Sequence, residues 1–97
     1  MDMDINKYNE IAEILKALAH PVRLCIVRGL IAKGGCNVCH MQECLGMPQS
    51  TTSQHLQKLR SAGIISGQRK GLEVTYQVCD QRVIKLIEIL FSEQEEG

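Results

Sequence analysis

Residues 47–63, "MPQSTTSQHLQKLRSAG", decide the fold because they have the pattern of one short helix with two different faces. Thr52, Leu56 and Leu59 recur at helical spacing and predict the face that packs on a core. Pro48 suits the first turn of this helix, and Gly63 suits its end. The other face carries short hydroxyl, amide and basic side chains.

Beyond Gly63 the hydrophobic period changes from helical to alternating. Two β-prone runs, 64–69 and 72–78, flank a basic, glycine-containing turn, "GQRKG" (67–71), that places Arg69 and Lys70 at the tip of a hairpin. Every second residue of the later run is apolar, which predicts a strand with one buried face. That predicted face consists of Leu72, Val74, Tyr76 and Val78.

Three further helices are predicted before residue 48. The first has an apolar stripe and ends at His20-Pro21; the second begins at Pro21 and stops at Gly34-Gly35. A short third helix is predicted after Asn37 as its N-cap. The apolar stripe of the first helix consists of Ile5, Tyr8, Ala12, Leu15 and Ala19, and the wide apolar face of the second consists of Val22, Ile26, Val27, Leu30 and Ile31. The predicted core face of the third is Val38, Met41 and Leu45.

The last predicted helix starts at about Asp80 and is apolar over much more than one stripe. A lone domain of 97 residues cannot easily cover such a helix, so we expect it to pack against a second copy of the chain. No repeat or linker is visible. The prediction is a single domain over residues 1–97, mainly α with a β-hairpin wing, in the order α-α-α-α-β-β-α: a winged helix-turn-helix that forms a homodimer through its first and last helices.

Charge is distributed unevenly along a chain whose formal net charge is zero. Residues 44–72 contain four basic side chains and no acidic one, and the acids lie towards the two ends. Such a basic middle predicts a local nucleic-acid surface on a neutral protein. Charged residues interrupt the apolar runs, and the first ten residues are acidic and polar, so we expect a cytoplasmic protein with no membrane partner.

Small polar side chains on the helix before Gly63 are suited to DNA. Hydroxyls and amides approach phosphates and base edges without bulk, and glutamine can pair with adenine in the major groove. An ordinary solvated face is the alternative for this helix alone, but the basic hairpin beyond it favours DNA. The candidate DNA-binding residues are Gln49, Ser50, Ser53, Gln54, Gln57, Lys58, Arg69 and Lys70.

Three stretches closely resemble the ArsR/SmtB family: "LKALAHPVRLCIVRGL" (15–30), "LGMPQSTTSQHLQKLRSAGII" (45–65) and "RKGLEVTYQV" (69–78). The resemblance implies a bacterial homodimeric repressor that binds a palindromic operator in double-stranded DNA and leaves it when an effector binds. It places DNA contacts at Gln49, Ser50, Ser53 and Gln54 and, on the wing, at Arg69 or Lys70. For His55 it leaves open a DNA contact, packing against the wing, or a local pair.

The stretch "CNVCHMQEC" (36–44) is the candidate effector site. Cys39 lies in the first turn of the predicted third helix, His40 and Cys44 are four residues apart, and Cys36 lies just before the helix. Soft ligands at this spacing suit a thiophilic metal or metalloid ion such as arsenite, cadmium or zinc. A redox or reactive-sulfur switch, for example a Cys36–Cys39 disulfide, and a purely structural role are the alternatives.

The family resemblance bears on these cysteines only in part. Many relatives bind metals through "CVC" at the start of the third helix, where this chain has Asn37 and Cys39, so Cys36 and Cys44 are displaced from the motif. A second family site across the last helices would start at Asp80, but no histidine follows His55, which makes a zinc site of that type improbable.

Two further cysteines lie outside this stretch. Cys25 is expected to be a buried core residue. With Cys79 it imitates, loosely, the thiol pair of sulfide-sensing relatives, which gives a minor redox alternative.

Catalysis is not expected. "CNVC" has the Cys-x-x-Cys form of a thiol oxidoreductase, but no strand precedes it and no βαβ pattern surrounds it. The prediction is a repressor released by an effector acting on its thiols; a family repressor without a thiol effector is the remaining alternative.

Overall fold

The computed structural model describes residues 4–37, 41 and 45–92. In chain order the elements are α1 (Ile5–Leu18), α2 (Pro21–Lys33), β1 (Cys36–Asn37), α3 (Gln49–Ser61), β2 (Ile65–Lys70), β3 (Glu73–Val78) and α4 (Gln81–Phe91). The predicted mainly α fold with a hairpin wing is confirmed. Most of the predicted short helix after Asn37 lies outside the described residues; of its core face, Met41 is buried and Leu45 packs against the core.

Local hydrogen bonds fix where the helices begin and end. The side chains of Asp4 and Asp80 accept bonds from backbone N–H groups in the first turns of α1 and α4, and His20 Nδ1 accepts the N–H of Val22 at the start of α2. Such caps satisfy backbone donors that a helix leaves unpaired. At the other end of α2, Gly34 has φ +73° and donates its N–H to Leu30 O, which is a glycine C-cap.

Packing of α2 and α3 follows the sequence pattern. Ile26, Val27 and Leu30 of α2 are buried, as are Leu56 and Leu59 of α3, so the apolar face of α2 packs on the core and the inward face predicted for α3 is confirmed. They meet residues from the other elements in one cluster. The further buried members of that cluster are Ile14, Ala17, Leu18, Met41, Ile64, Ile65, Val83 and Ile87.

The predicted apolar stripe of α1 does not face the core of the single chain. Ile5, Tyr8 and Leu15 are exposed, and α1 buries Ile14, Ala17 and Leu18 instead. Apolar residues occupy two sides of this helix, and only the side with Ile14, Ala17 and Leu18 packs against the core. The other side stays at the surface, where Ile11 and Leu15 line a pocket with residues of α4, and α4 also exposes Ile89 and Leu90. We call this surface the outer apolar face; it consists of Ile5, Tyr8, Ile11, Leu15, Ile89 and Leu90.

The sheet is antiparallel, with the strand order β1-β3-β2. β2 and β3 form the predicted hairpin. Both ends of β2 and the start of β3 lie one residue later than predicted. Val74, Tyr76 and Val78 are half-buried as expected. Leu72 is the exception: it lies in the turn before β3 and is 97% exposed, because the alternation of the strand begins only after the turn.

Strand β1 was not predicted. Its two residues pair with the middle of β3, Cys36 with Tyr76 and Asn37 with Thr75, and Asn37 Nδ2 donates to Glu73 Oε1 at 3.4 Å. A two-residue strand has no periodic pattern that a sequence could show. None of the helices in the described part of the chain has the length and apolarity needed to cross a bilayer.

Candidate nucleic-acid interface and cysteine sites

Helix α3 presents an exposed polar face on the side opposite its core contacts. The predicted residues Gln49, Ser50, Ser53, Gln54, Gln57 and Lys58 are all exposed. The helix has no acidic residue. The structure therefore brings the six predicted side chains of α3 to one surface that is free to approach a ligand.

The first turn of α3 is held by a buried side chain, while its first backbone N–H groups have no side-chain cap. Thr52 is completely buried, and its hydroxyl donates to Pro48 O at 3.2 Å. No side chain caps the first N–H groups of the helix. Open N–H groups at a helix N-terminus suit phosphate oxygens, because the helix dipole adds a partial positive charge there.

His55 faces α2 rather than the polar face of α3. Its Nδ1 lies 3.3 Å from Arg23 Nη1, and its ring centroid is 4.7 Å from that of His20. Arg23 Nε also donates to Ala17 O at 2.6 Å, so this one guanidinium ties together α1, α2 and α3. Of the roles left open for His55, the local pair is the one observed.

This environment disfavours a charged imidazole. Burial is the main cause that lowers the pKa of His55, and the nearby positive charges of His20, Arg23 and Lys58 lower it further. Neutral His55 accepts the bond from Arg23 at Nδ1, which leaves its proton on Nε2. Arg23 was not identified from the sequence, because its partner lies 32 residues away along the chain.

The wing tip carries its two predicted cations in the open. Arg69 and Lys70 end β2 and are exposed, and Arg69 Nε donates to Gly71 O at 3.3 Å across the turn. Leu72, beside them, is a further exposed tip residue that the sequence pattern assigned to the buried face. The tip therefore offers positive charge and one apolar side chain.

The hairpin below the tip needs a glycine. Gly67 lies opposite Tyr76 in the ladder, and a Cβ at position 67 would be 2.9 Å from Tyr76 Cε1 and 3.2 Å from Val74 Cγ1. The Tyr76 ring therefore packs directly on the backbone of β2.

The candidate effector residues differ in whether they lie within the described part of the chain. Cys39, His40 and Cys44 lie outside the described residues, so their convergence with Cys36 remains a prediction. Within the described ranges, no three or more His, Cys, Asp or Glu side chains are grouped so that they could hold a metal ion.

Cys25, Cys36 and Cys79 are free thiols. Cys25 is exposed, so its assignment to the core is wrong: it lies at the edge of the α2 core face, beside a pocket that Cys36 also lines. Cys36 is half-buried on β1. Cys79 is exposed at the end of β3, with its Sγ 3.5 Å from Gly63 O. It does not line the pocket that Cys25 and Cys36 share.

Asp80, which matches a ligand position of the second family site, is engaged by a neighbouring cation. Its Oδ2 lies 2.9 Å from Arg82 Nη2, and that guanidinium also reaches Glu10 of α1 at 3.8 Å. The side-chain hydrogen bond from Arg82 is the main cause that lowers the pKa of Asp80. A fixed positive charge thus neutralises this carboxylate.

Comparisons with known proteins agree with this architecture. Residues 18–68 match a family model described as a helix-turn-helix domain. The transcriptional repressor PagR of Bacillus anthracis is 42% identical over 81% of this chain and 79% of its own length. The HTH-type transcriptional repressor SmtB of Mycobacterium tuberculosis is 40% identical over 77% of this chain and 55% of its own length.

Solved structures show the same likeness. The crystal structure of PagR superimposes with a TM-score of 0.82 at 38% identity and covers 90% of this chain and 99% of that one. The homodimeric winged helix-turn-helix DNA-binding domain of a possible ArsR-family transcriptional regulator from Mycobacterium bovis gives a TM-score of 0.86 at 28% identity, over 99% of this chain and 88% of that one. These relatives are transcriptional regulators and not enzymes. The chain belongs to the ArsR/SmtB family of winged helix-turn-helix transcriptional repressors.

Proposed function

We propose that this protein is a homodimeric repressor that binds a palindromic operator in double-stranded DNA and is released by an effector acting on cysteine thiols. The observation that carries the proposal is the exposed, acid-free polar face of α3, with the cations of the wing tip beyond it. Its family relatives PagR and SmtB are repressors.

Each part of the surface has a distinct role in this proposal. Gln49 and Gln54 read base edges in the major groove, where an amide can make two hydrogen bonds to adenine. Ser50 and Ser53, with the open N-terminus of α3, contact phosphates and fix the register. Gln57 and Lys58 extend the contact along the helix, and Arg69 and Lys70 bind the DNA backbone or the adjacent minor groove.

The outer apolar face supplies the dimer contact. Ile89 is 71% exposed and Leu90 58% exposed in the single chain, and α1 also exposes large apolar residues. Exposed apolar residues in this number favour a protein interface on these two helices. The Mycobacterium bovis relative is homodimeric. A two-fold dimer would present its two α3 helices to half-sites about one helical turn of DNA apart, or a multiple of it.

The effector acts, in this proposal, through Cys36, Cys39 and Cys44, with His40 as a further ligand. A soft metal or metalloid ion is the first candidate, and an oxidant or reactive sulfur species is the second. The support from the structure is the position of Cys36: β1 pairs directly with β3, so a change at this thiol acts on a strand of the wing.

Binding to an operator duplex tests the DNA surface. Fluorescence anisotropy should show that Ser53→Ala with Gln54→Ala weakens specific binding by about 10- to 100-fold, since one good base contact contributes roughly 1–3 kcal/mol. Arg69→Ala should weaken binding to all sequences and lower the salt slope by about one. Asn6→Ala, an exposed polar position of α1 away from this surface, is the control. Wild-type affinity in both test variants would refute the docking arrangement.

A titration separates the effectors. The reduced protein bound to its operator should be released by arsenite, cadmium or zinc if a metal site operates, and by peroxide or persulfide if a redox switch operates. Serine at positions 36, 39 and 44 should abolish the response. Release by none of these reagents would leave a repressor of this family without a thiol effector.

A further inference from the structure

A small pocket opens between α2 and β1, apart from the DNA surface. The described residues line a half-open pocket with a volume of about 180 Å³. Its wall is mostly apolar, with Ile26, Leu30 and Met41 among its lining residues, and Lys33 is the one charged residue that the described part of the chain contributes. An apolar cavity of roughly 150 Å³ is large enough to hold benzene, so this pocket has the size of one six-membered ring.

Gly29 keeps the pocket open. It lies in the middle of α2, where glycine destabilises a helix by roughly 1 kcal/mol relative to alanine. Neither of the usual reasons for a glycine applies, because its φ is not positive and a Cβ built there meets nothing within 4 Å. Gly29 is one of the residues that line the pocket, so a large side chain at this position would take up space beside it.

Two thiols from different elements line this pocket, Cys25 from α2 and Cys36 from β1. Cys25 is exposed at the surface, whereas Cys36 is half-buried and packs against the core. Cys36 Sγ lies 3.4 Å from Asn37 O, to which it donates. A half-buried nucleophile in an apolar wall is accessible to an uncharged ring that fills the pocket and is poorly accessible to a charged, hydrated reagent.

We propose that this pocket binds a small uncharged ring electrophile of the α,β-unsaturated carbonyl class and presents it to Cys36. Sulfur adds to the β-carbon, the carbon–carbon double bond becomes a single bond, and the thiol proton ends on the α-carbon. The product is a thioether with the carbonyl intact, and no oxidant, reductant or leaving group takes part. The regulatory consequence rests on the proposed repressor function: Cys36 pairs with Tyr76 of the wing, so an adduct at Cys36 alters the support of the wing.

Competitive labelling of the whole protein tests the pocket. The reduced chain is treated with 2-cyclohexen-1-one or, in parallel, with a sulfonated maleimide, and the rate at each cysteine is followed by peptide mass spectrometry. Cys79, exposed and outside the pocket, is the reference on the same chain. The ratio of the enone rate to the maleimide rate should be about tenfold higher at Cys36 than at Cys79, because the pocket holds the enone beside the thiol.

Variants at Gly29 distinguish binding in the pocket from simple reactivity. Gly29→Leu should fill the pocket and remove the enone preference of Cys36 while leaving Cys79 unchanged. Gly29→Ala should reduce the enone preference of Cys36 only in part. Because alanine favours the helix, this variant also controls for a loss of preference that is caused by misfolding. Equal rate ratios at Cys36 and Cys79, or a preference that survives in a folded Gly29→Leu protein, would overturn the proposal.

DNA binding is the separate second readout. The enone adduct of the wild type should bind the operator about tenfold more weakly. Cys36→Ser should not respond to the enone, so its operator affinity should be the same with and without the reagent. An adduct at Cys36 with undiminished DNA binding would overturn the regulatory consequence. No specific DNA binding by the unmodified protein would instead refute the repressor function, and the labelling pattern would still decide the pocket.

Discussion

At the scale of single residues, Gly67 controls the fit between the two wing strands. A methyl group there would approach the Tyr76 ring to 2.9 Å, closer than packed carbon atoms come. We predict that Gly67→Ala lowers the free energy of unfolding by about 1–3 kcal/mol, the usual effect of overpacking. Urea denaturation measures this, with Gly29→Ala as the matched control, since that methyl group meets open space and should be neutral or stabilising.

A double-mutant cycle identifies the clash as the cause. Tyr76→Ala removes the ring that the new methyl group would meet, so adding Gly67→Ala to it should cost much less than in the wild type. Additive losses would show that Gly67 is needed for another reason.

The burial of His55, next to His20 and Arg23, makes stability depend on pH. His55 has a lowered pKa, so between its folded and unfolded pKa values the unfolded chain binds more protons, and stability rises with pH. The contribution should be complete above the ordinary histidine pKa of about 6.5 and should be lost as the pH falls through the folded pKa. Urea unfolding at pH 7.5 and pH 5.5 should show a smaller pH effect in His55→Gln than in the wild type. An equal pH effect in the two proteins would place the titration elsewhere.

At the scale of elements, Asp80 both caps α4 and binds Arg82. Its side chain accepts the N–H of Arg82 at 2.9 Å and also forms the ion pair. We predict that Asp80→Ala costs about 1 kcal/mol of stability through the lost N-cap. Asp80→Asn should cost less, because the amide oxygen can still cap the helix and an ion pair with an exposed Arg82 contributes little. Equal losses in a thermal or urea measurement would mean that the charge pair matters more than the cap.

The sequence predicts the elements where the single chain determines their packing. Val27 of α2 and Leu59 of α3 are buried as their periodicity indicates, and the six polar residues of α3 share one exposed face. For α1 the sequence shows an apolar stripe but not which side packs on the core, because two apolar sides look alike until the position of the core is known. The prediction failed for Leu72, because the turn ends one residue later than the alternation suggests.

The candidate sites show the same limit. The exposed polar side chains of α3 all lie within one helical segment, so the sequence alone predicts that they share a surface. Contacts between distant parts of the chain could not: Arg23 meets His55 across 32 residues. Cys25 and Cys36 share a pocket only because the chain turns at Gly34 and forms a strand too short to leave a pattern.

At the scale of the whole molecule, the outer apolar face is the surface proposed for the dimer contact. Burying one isoleucine side chain contributes about 1.5–3 kcal/mol, and a two-fold contact counts it twice. We predict that Ile89→Lys weakens dimerisation by at least about tenfold, and weakens operator binding with it, while the monomer stays folded. Light scattering across a range of concentrations measures the assembly.

Asn6→Lys adds the same charge to an exposed polar position of α1 and serves as the control. It should leave the dimer intact. A dimer that tolerates Ile89→Lys would mean that the two copies meet on another surface.

The strand order β1-β3-β2 also bears on solubility. β2 is an edge strand, and an edge strand offers unpaired backbone groups on which a strand of another molecule can assemble. Arg69 and Lys70 put two adjacent positive charges at the end of this edge, so two wings that approach edge to edge repel each other. The same cations that are proposed to hold DNA are therefore expected to keep the free protein from aggregating, and replacing them with apolar residues should weaken both properties together.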